Sequence, residues 1–269
     1  MTLSRPALLF NSGNDDALGQ PSMSVHTMSC SEIWGGIGTR DEDVATKGIA
    51  ASIYSKAAGG GRGGDIHYLS YCSYDMLTRL VVADVSGHGE SVTLLSSWVY
   101  DSLKAEMNNL AGNQILSELN RKICARGFEA ITTAAVLTYD SSLNVLHFCY
   151  AGHPPAMVWR AGDAWRRLEN LEEQTASNLP LGVGASGVYE QGRIALSAGD
   201  RLVVFTDGLL EAEDSHGADF GEHRLFAVLE DHAGSSISAL KYAILEGLFD
   251  HTRGIPLADD LTILAAEVR

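Results

Sequence analysis

Four acidic stretches each set an Asp at the end of an apolar run: Gly63-Gly64-Asp65, Asp84-Val85-Ser86-Gly87-His88-Gly89, Thr206-Asp207-Gly208 and Asp259-Asp260-Leu261-Thr262. Taken singly, an Asp beside Gly is an ordinary turn former. Together they suggest more. Asp84 follows Leu80-Val-Val-Ala83 and Asp207 follows Leu202-Val-Val-Phe205. If those strands are neighbours in one sandwich, their carboxylates emerge at one edge, and anions so placed repel unless a cation sits between them. Hard divalent ions such as Mg²⁺ and Mn²⁺ take oxygen ligands and keep several waters. The chain reads as a metal-dependent hydrolase.

The flanking residues carry weaker signals. Gly87 and Gly89 permit close backbone approach to a ligand, and glycine suits a helix start equally well. Between them His88 is a candidate general acid, with a satisfied surface histidine as the alternative. His153, followed by Pro154 and Pro155, is read as shaping a turn. Arg62, in a glycine-rich loop just ahead of Asp65, is a candidate phosphate clamp because guanidinium grips phosphate in bidentate fashion; the alternative is a solvated loop arginine. A serine hydrolase built on Ser86 fails on spacing, since Asp84 stands where a nucleophile elbow needs glycine.

Composition narrows the class. With 19 Lys and Arg against 34 Asp and Glu, the net charge of −15 argues against nucleic acid and against an anionic membrane surface. The 269 residues, 45 % of them apolar, favour one large domain, taken as 23–269 behind a flexible leader at 1–22. Cys30, Cys72, Cys124 and Cys149 form no Cys-x-x-Cys pair and are expected as buried reduced thiols. No basic start leads into an apolar core, and no stretch approaches the ~20 apolar residues of a membrane span. The expected location is cytoplasmic.

The elements that must position the acids follow from periodicity. Strands are expected at 49–54, 77–83 running into Asp84, 130–139, 145–151, 156–159, 201–205 delivering Asp207, and 261–268. Residues 58–64 read as a loop between two strands. Helical spacing covers Glu90 to about Leu110, Asn113 to Arg126, and segments near 223–231 and 235–251. The three strands between 130 and 159 suit an antiparallel meander. Clustered strands with paired helices indicate an α+β fold.

In chain order, Gly-Gly-Asp65, Asp84-Val-Ser-Gly-His-Gly, Tyr150-Ala-Gly-His-Pro-Pro, Leu179-Pro-Leu-Gly182, the run Ala198 to Ala212 containing Thr206-Asp207-Gly208 and Glu211, and Asp259-Asp-Leu-Thr-Ile form a series. It resembles bacterial protein phosphatase 2C (PPM) domains of the SpoIIE and RsbU kind, from roughly Ile49 to Arg269. Glu32-Ile-Trp-Gly-Gly36 is similar to a lead-in of some stand-alone members. Tyr150 stands where the family often has Asn.

The resemblance implies a four-layer α-β-β-α sandwich with two central antiparallel sheets and a centre of two divalent cations, Mn²⁺ or Mg²⁺. By motif, Asp84 would bridge both ions, the Val85 carbonyl would ligate one, and Asp207 and Asp259 would complete the centre. Asp260 is the fallback for Asp259, and Asp65 would hold the second ion directly or through water. Water shared by the ions would attack a phosphoserine or phosphothreonine ester.

The substrate would be a phosphorylated regulatory protein such as an anti-sigma-factor antagonist. The alternative is a catalytically weak pseudo-phosphatase that binds a phosphoprotein. Two departures bear on the site. Ile66-His67-Tyr68 follows the Gly-Gly-Asp motif where many relatives carry an aromatic pair and a second Asp; His67 is expected to face solvent, with a role as an outer-shell hydrogen-bond partner in place of that Asp as the alternative. Three residues separate Asp84 from His88, where eukaryotic-type members have one. The stretch before Ile49 reads as too short for a sensor module, which leaves regulation to partners, to expression or to those first residues.

Overall fold

Alternating burial along the strands sorts the chain into layers. The computed structural model describes residues 25–72, 74, 76–87, 90–106, 109–127, 131–169 and 178–269. The expected leader at 1–22 and His88 lie outside the described residues. In β5 (Arg62–Cys72), Ile66 and Tyr68 point to one side of the sheet and Leu69 and Tyr71 to the other. Both sides are buried, so strands of this kind are apolar at nearly every position rather than at every second one.

One sheet runs in the spatial order β1 (His26–Thr27), β3 (Arg40–Ala45), β4 (Ile49–Lys56), β13 (Leu261–Val268), β12 (Arg201–Phe205), β9 (Met157–Trp159) and β10 (Arg166–Arg167). The second runs β11 (Gln191–Ala195), β8 (Val145–Ala151), β7 (Thr132–Asp140), β6 (Leu77–Val85), β5 and β2 (Glu32–Gly38). Apart from the short parallel contact of β1 with β3, the strand pairings are antiparallel.

Helices α1 (Glu90–Ala105) and α2 (Gly112–Ala125) cover the second sheet, while α3 (Gly221–Asp231) and α4 (Ile237–Thr252) belong to the layer over the first. Helix α2 shows why. Its Ile115, Leu116, Leu119 and Ile123 fall on one face and are buried against the sheet. Three apolar layers result: one between the sheets, with Leu69, Leu80, Val204 and Leu264, and one under each helix pair. The fold is α+β, a four-layer α-β-β-α sandwich.

Several expectations need correction. The meander stops after two strands, because β7 pairs with β8 in one sheet whereas β9 pairs with β12 in the other. The chain crosses between sheets at His153-Pro154-Pro155, where proline cannot donate to a ladder. Strands β2 and β3 lie ahead of Ile49 and join different sheets, β2 on β5 and β3 on β4. Helix α1 ends at Ala105, short of Leu110, and the Glu106 N–H turns back to the Leu103 carbonyl at 3.1 Å in a tightened last turn.

The glycine-rich loop gives way to β5 already at Arg62. Of the four thiols, none of them in a disulfide, Cys149 is buried and Cys30 is exposed. No helix among the described residues is long and apolar enough to cross a membrane.

Candidate metal centre

Antiparallel pairing brings the acidic strand ends to one end of the sandwich. Asp84 lies in β6, paired opposite Thr133 of β7. Across the inter-sheet space, β12 ends at Phe205 and Asp207 opens a short 3₁₀ turn, Asp207–Leu209. Asp259 and Asp260 immediately precede β13, the neighbour of β12. The two Asp-bearing runs therefore lie in facing sheets, not side by side in one.

These groups act on one another electrostatically. Burial pushes the Asp84 carboxyl up to about 7, with Asp207, Asp259, Asp260 and Glu211 adding to the rise. Asp207 is raised by burial and then by Asp259. Glu211 is raised by partial desolvation and by Asp207, Asp219 and Asp259. Like charges facing one cleft each favour the protonated form of the next. Among the described residues, no three His, Cys, Asp or Glu side chains stand close enough to form a ready coordination shell; carboxylates in mutual repulsion have no force drawing them closer.

Asp65 is only 4 % exposed and turns inward. Its Oδ2 accepts from the Thr206 hydroxyl at 2.9 Å, and that hydroxyl accepts from the Thr262 N–H at 3.0 Å. Burial raises the Asp65 carboxyl well above the usual range, opposed first by a hydrogen bond from Thr262. Thr206 and Thr262 thus hold Asp65, and Glu211 stands near enough to Asp207 and Asp259 to be raised by them; the sequence reading gave none of the three a part in the site. Their signal was adjacency: each lies within the motif that also carries Asp207 or Asp259.

The oxygen-only donor set suits a hard divalent ion. The backbone fits too. A Cβ built on Gly64 would meet the Val85 carbonyl oxygen at 2.5 Å and Asp84 Oδ1 at 3.1 Å, so the missing side chain leaves a cradle faced by those two oxygens. Gly87 has φ of +120°, which favours glycine, and a Cβ there would press on Val92 of α1.

Asp260 is committed differently from Asp259. Its Oδ1 accepts from the Ala58 N–H at 2.8 Å, and its Oδ2 accepts from the N–H groups of Gly64, at 2.5 Å, and Asp65, at 3.4 Å. Asp259 accepts the Asp260 N–H at 2.8 Å.

Arg62 is exposed at the start of β5, and its carbonyl accepts from the Thr93 hydroxyl of α1 at 3.1 Å. It borders a groove that also includes Gly63, Gly87, Val92, Leu257 and Asp259. His67 does not face solvent. It is fully buried in β5, its ring 5.9 Å from that of Trp34, and burial lowers its pKa to about 4. Neither ring nitrogen has a hydrogen-bond partner.

Comparison with known proteins gives consistent matches. The profile of the SpoIIE family, Stage II sporulation protein E, matches residues 75–269. Phosphoserine phosphatase RsbP of Bacillus subtilis is 25 % identical over 71 % of this chain and 45 % of its own length. Phosphoserine phosphatase RsbU of the same organism is 28 % identical over 69 % of this chain and 54 % of its own. The alignments thus span about half of those two relatives.

Among solved structures, the SiaA-PP2C domain of Pseudomonas aeruginosa superposes with a TM-score of 0.70 at 22 % identity, covering 81 % of this chain and 85 % of that one. The catalytic domain of the serine/threonine protein phosphatase PstP, solved with two manganese ions, has a TM-score of 0.58 at 15 % identity, covering 82 % and 98 %. These likenesses share the layered sandwich.

Proposed function

The chain belongs to the SpoIIE family, and on that premise we propose that it is a cytoplasmic, metal-dependent protein serine/threonine phosphatase acting on a phosphorylated regulatory protein. The observation that carries this reading is that Asp84, Asp207 and Asp259 lie at one end of the sandwich, near enough for Asp207 and Asp259 to help push Asp84 up to about 7. A site that stores this much repulsion is matched to positive charge. When bound, two divalent cations, Mn²⁺ or Mg²⁺, would supply an activated water and neutralise charge on the phosphoryl oxygens.

The chain's own residues have separable tasks. Asp84 would contact both ions, with the Val85 carbonyl, Asp207 and Asp259 completing the set. Asp65, held by Thr206 and Thr262, would serve the second ion directly or through water. Asp259 is preferred to Asp260 because the Asp260 oxygens already accept backbone N–H groups. Arg62 would orient the phosphate in the groove beside Asp259. His88 is assigned the proton-donating role by its motif alone.

The relatives RsbP and RsbU are phosphoserine phosphatases, which supports a phosphoserine substrate; the resemblance to the SpoIIE and RsbU kind extends this to a phosphorylated regulatory protein such as an anti-sigma-factor antagonist. Purified protein with Mn²⁺ is expected to release phosphate from a phosphoserine peptide, to stop with EDTA, and to take up two ions by calorimetry. Asp84→Asn is expected to abolish turnover with the fold retained. Peptide binding without metal-stimulated release, and with no uptake of two ions, would replace this reading with that of a phosphoprotein-binding module.

A further inference from the structure

Both ends of the glycine-rich loop bond to one side chain. The Asp260 carboxylate accepts N–H groups from Ala58, at the start of the glycine-rich loop, and from Gly64 and Asp65, beyond its end. A Cβ on Gly63 would overlap that carboxylate, and a Cβ on Gly208 would overlap the Asp260 carbonyl oxygen. The Asp260 N–H is in turn donated to Asp259 Oδ1 at 2.8 Å. Both carboxylate oxygens are therefore occupied by backbone donors, and the two neighbouring glycines leave the space it fills.

We infer that Asp260 is a positioning residue, which pins the loop from Ala58 to Asp65 so that Arg62 and Asp65 keep their places beside the cleft. The inference rests on the phosphatase reading for what is being positioned, but not for the pinning itself. Charge-assisted hydrogen bonds from a carboxylate to backbone N–H groups are stronger than neutral ones. The loop holds Gly59, Gly60 and Gly61, and Gly63 and Gly64 follow in the first residues of β5, so the segment has high conformational freedom to lose and an external tie has a large effect on its order.

The tie also explains the paired acids. Asp259 accepts one backbone N–H, that of Asp260, on Oδ1, whereas Asp260 accepts three across both oxygens, so Asp259 keeps more acceptor capacity for a cation. On the second anchor of the loop, the Thr93 hydroxyl of α1 holds the Arg62 carbonyl from the other side of the groove.

Asp260→Asn is the first test, because the amide keeps one acceptor oxygen but turns the other arm into a donor that cannot receive an N–H. Gly63→Ala is the second: it leaves the Asp260 charge intact and displaces the carboxylate with a methyl group. In metal-free protein, both variants should speed amide hydrogen exchange in the segment 58–65 by roughly 10-fold or more while exchange in the sheets is unchanged. With Mn²⁺, both should still take up two ions, and KM for a phosphoserine peptide should rise roughly 10-fold with a smaller change in kcat.

Unchanged loop exchange in both variants overturns the inference, and so does loss of one Mn²⁺ in Asp260→Asn alone, which would make Asp260 a ligand. A loosened loop with wild-type KM also overturns it. If the wild-type protein neither binds Mn²⁺ nor hydrolyses the peptide, the phosphatase reading fails, and the metal-free exchange measurement alone decides whether Asp260 pins the loop.

Discussion

His153 is buried where the chain passes from β8 to β9, and its Nδ1–H donates to the Pro154 carbonyl at 2.9 Å while Nε2 has no partner. Burial lowers its pKa to about 4, so the fold requires the neutral ring. The unfolded chain, with an ordinary histidine near 6.5, binds more protons between those two values. The stability this group contributes is therefore fully present above about pH 6.5 and is lost as pH falls toward 4. At pH 5 the loss is about 2 kcal/mol relative to pH 7.5. His153→Asn keeps a donor for the Pro154 carbonyl and removes the titration, so its urea midpoint should fall less than that of the wild type between pH 7.5 and pH 5. Equal falls in the two proteins would show that His153 does not set the acid limit. Single residues were unevenly legible in the sequence. The break in pairing at His153 was readable from the two prolines, and the places of Asp84, Asp207 and Asp259 beside strand ends from the apolar runs they flank. The bonds of Thr206 to Asp65 and of Asp260 to the glycine-rich loop were not, because each joins residues far apart in the chain and depends on which sheet faces which.

At the scale of elements, α4 and β3 are joined by an ion pair whose lysine is buried and whose carboxylate is exposed. Lys241 is fully buried on α4, its ammonium bonded to Asp41 of β3, and the Tyr242 hydroxyl also donates to Asp41 at 3.0 Å. Asp41→Ala would leave a buried ammonium without its partner, at a cost of about 1 to 3 kcal/mol because the carboxylate itself is exposed, whereas Lys241→Met puts an apolar chain of similar length into the same space at a smaller cost. Chemical denaturation should rank Asp41→Ala well below Lys241→Met, and the reverse order would show that the pair does not fasten strand to helix. This pairing bears on why β3 escaped the sequence reading. Arg40-Asp41-Glu42-Asp43 looks like a solvated turn, and only the partner on α4 and the ladder with β4 make it a strand. Strand β2 was hidden by Gly35 and Gly36, and β11 by Gly192 and Arg193 in a run of five residues. By contrast, β8, β12 and β13 were legible to the residue, because apolar runs bounded by turn residues have one physical reading. The crossing of β9 to the other sheet left no local trace, since pairing partners are a property of the assembled layers.

For the whole molecule, the acidic end of the sandwich sets a conflict between stability and function. Sheets held by three apolar layers place Asp84, Asp207, Asp259 and Glu211 against one another, and the structure tolerates this because the rest of the domain fixes their backbones. Raising the Asp84 carboxyl from its ordinary value to about 7 disfavours the folded state wherever that group is ionised. The sign follows: the penalty is absent below the unfolded value, grows as pH rises toward 7, and is fully present above it. Asp84→Asn removes the charge and leaves a side chain of nearly the same shape, so metal-free Asp84→Asn should be more stable than metal-free wild type at pH 8 by about 2 to 4 kcal/mol. Divalent ions should offset this gap and, with both ions bound, reverse the ranking. At 100 times its dissociation constant, one bound Mn²⁺ adds about 2.7 kcal/mol to the wild type, which for a domain of this size is a rise in Tm of roughly 5–10 °C. The variant, lacking the carboxylate proposed to contact both ions, should show little of that rise. Thermal melts of both proteins with EDTA and with Mn²⁺ test the argument in four curves. If metal-free Asp84→Asn melts below metal-free wild type, the carboxylates are not in conflict, and the cleft would have no electrostatic reason to take up cations.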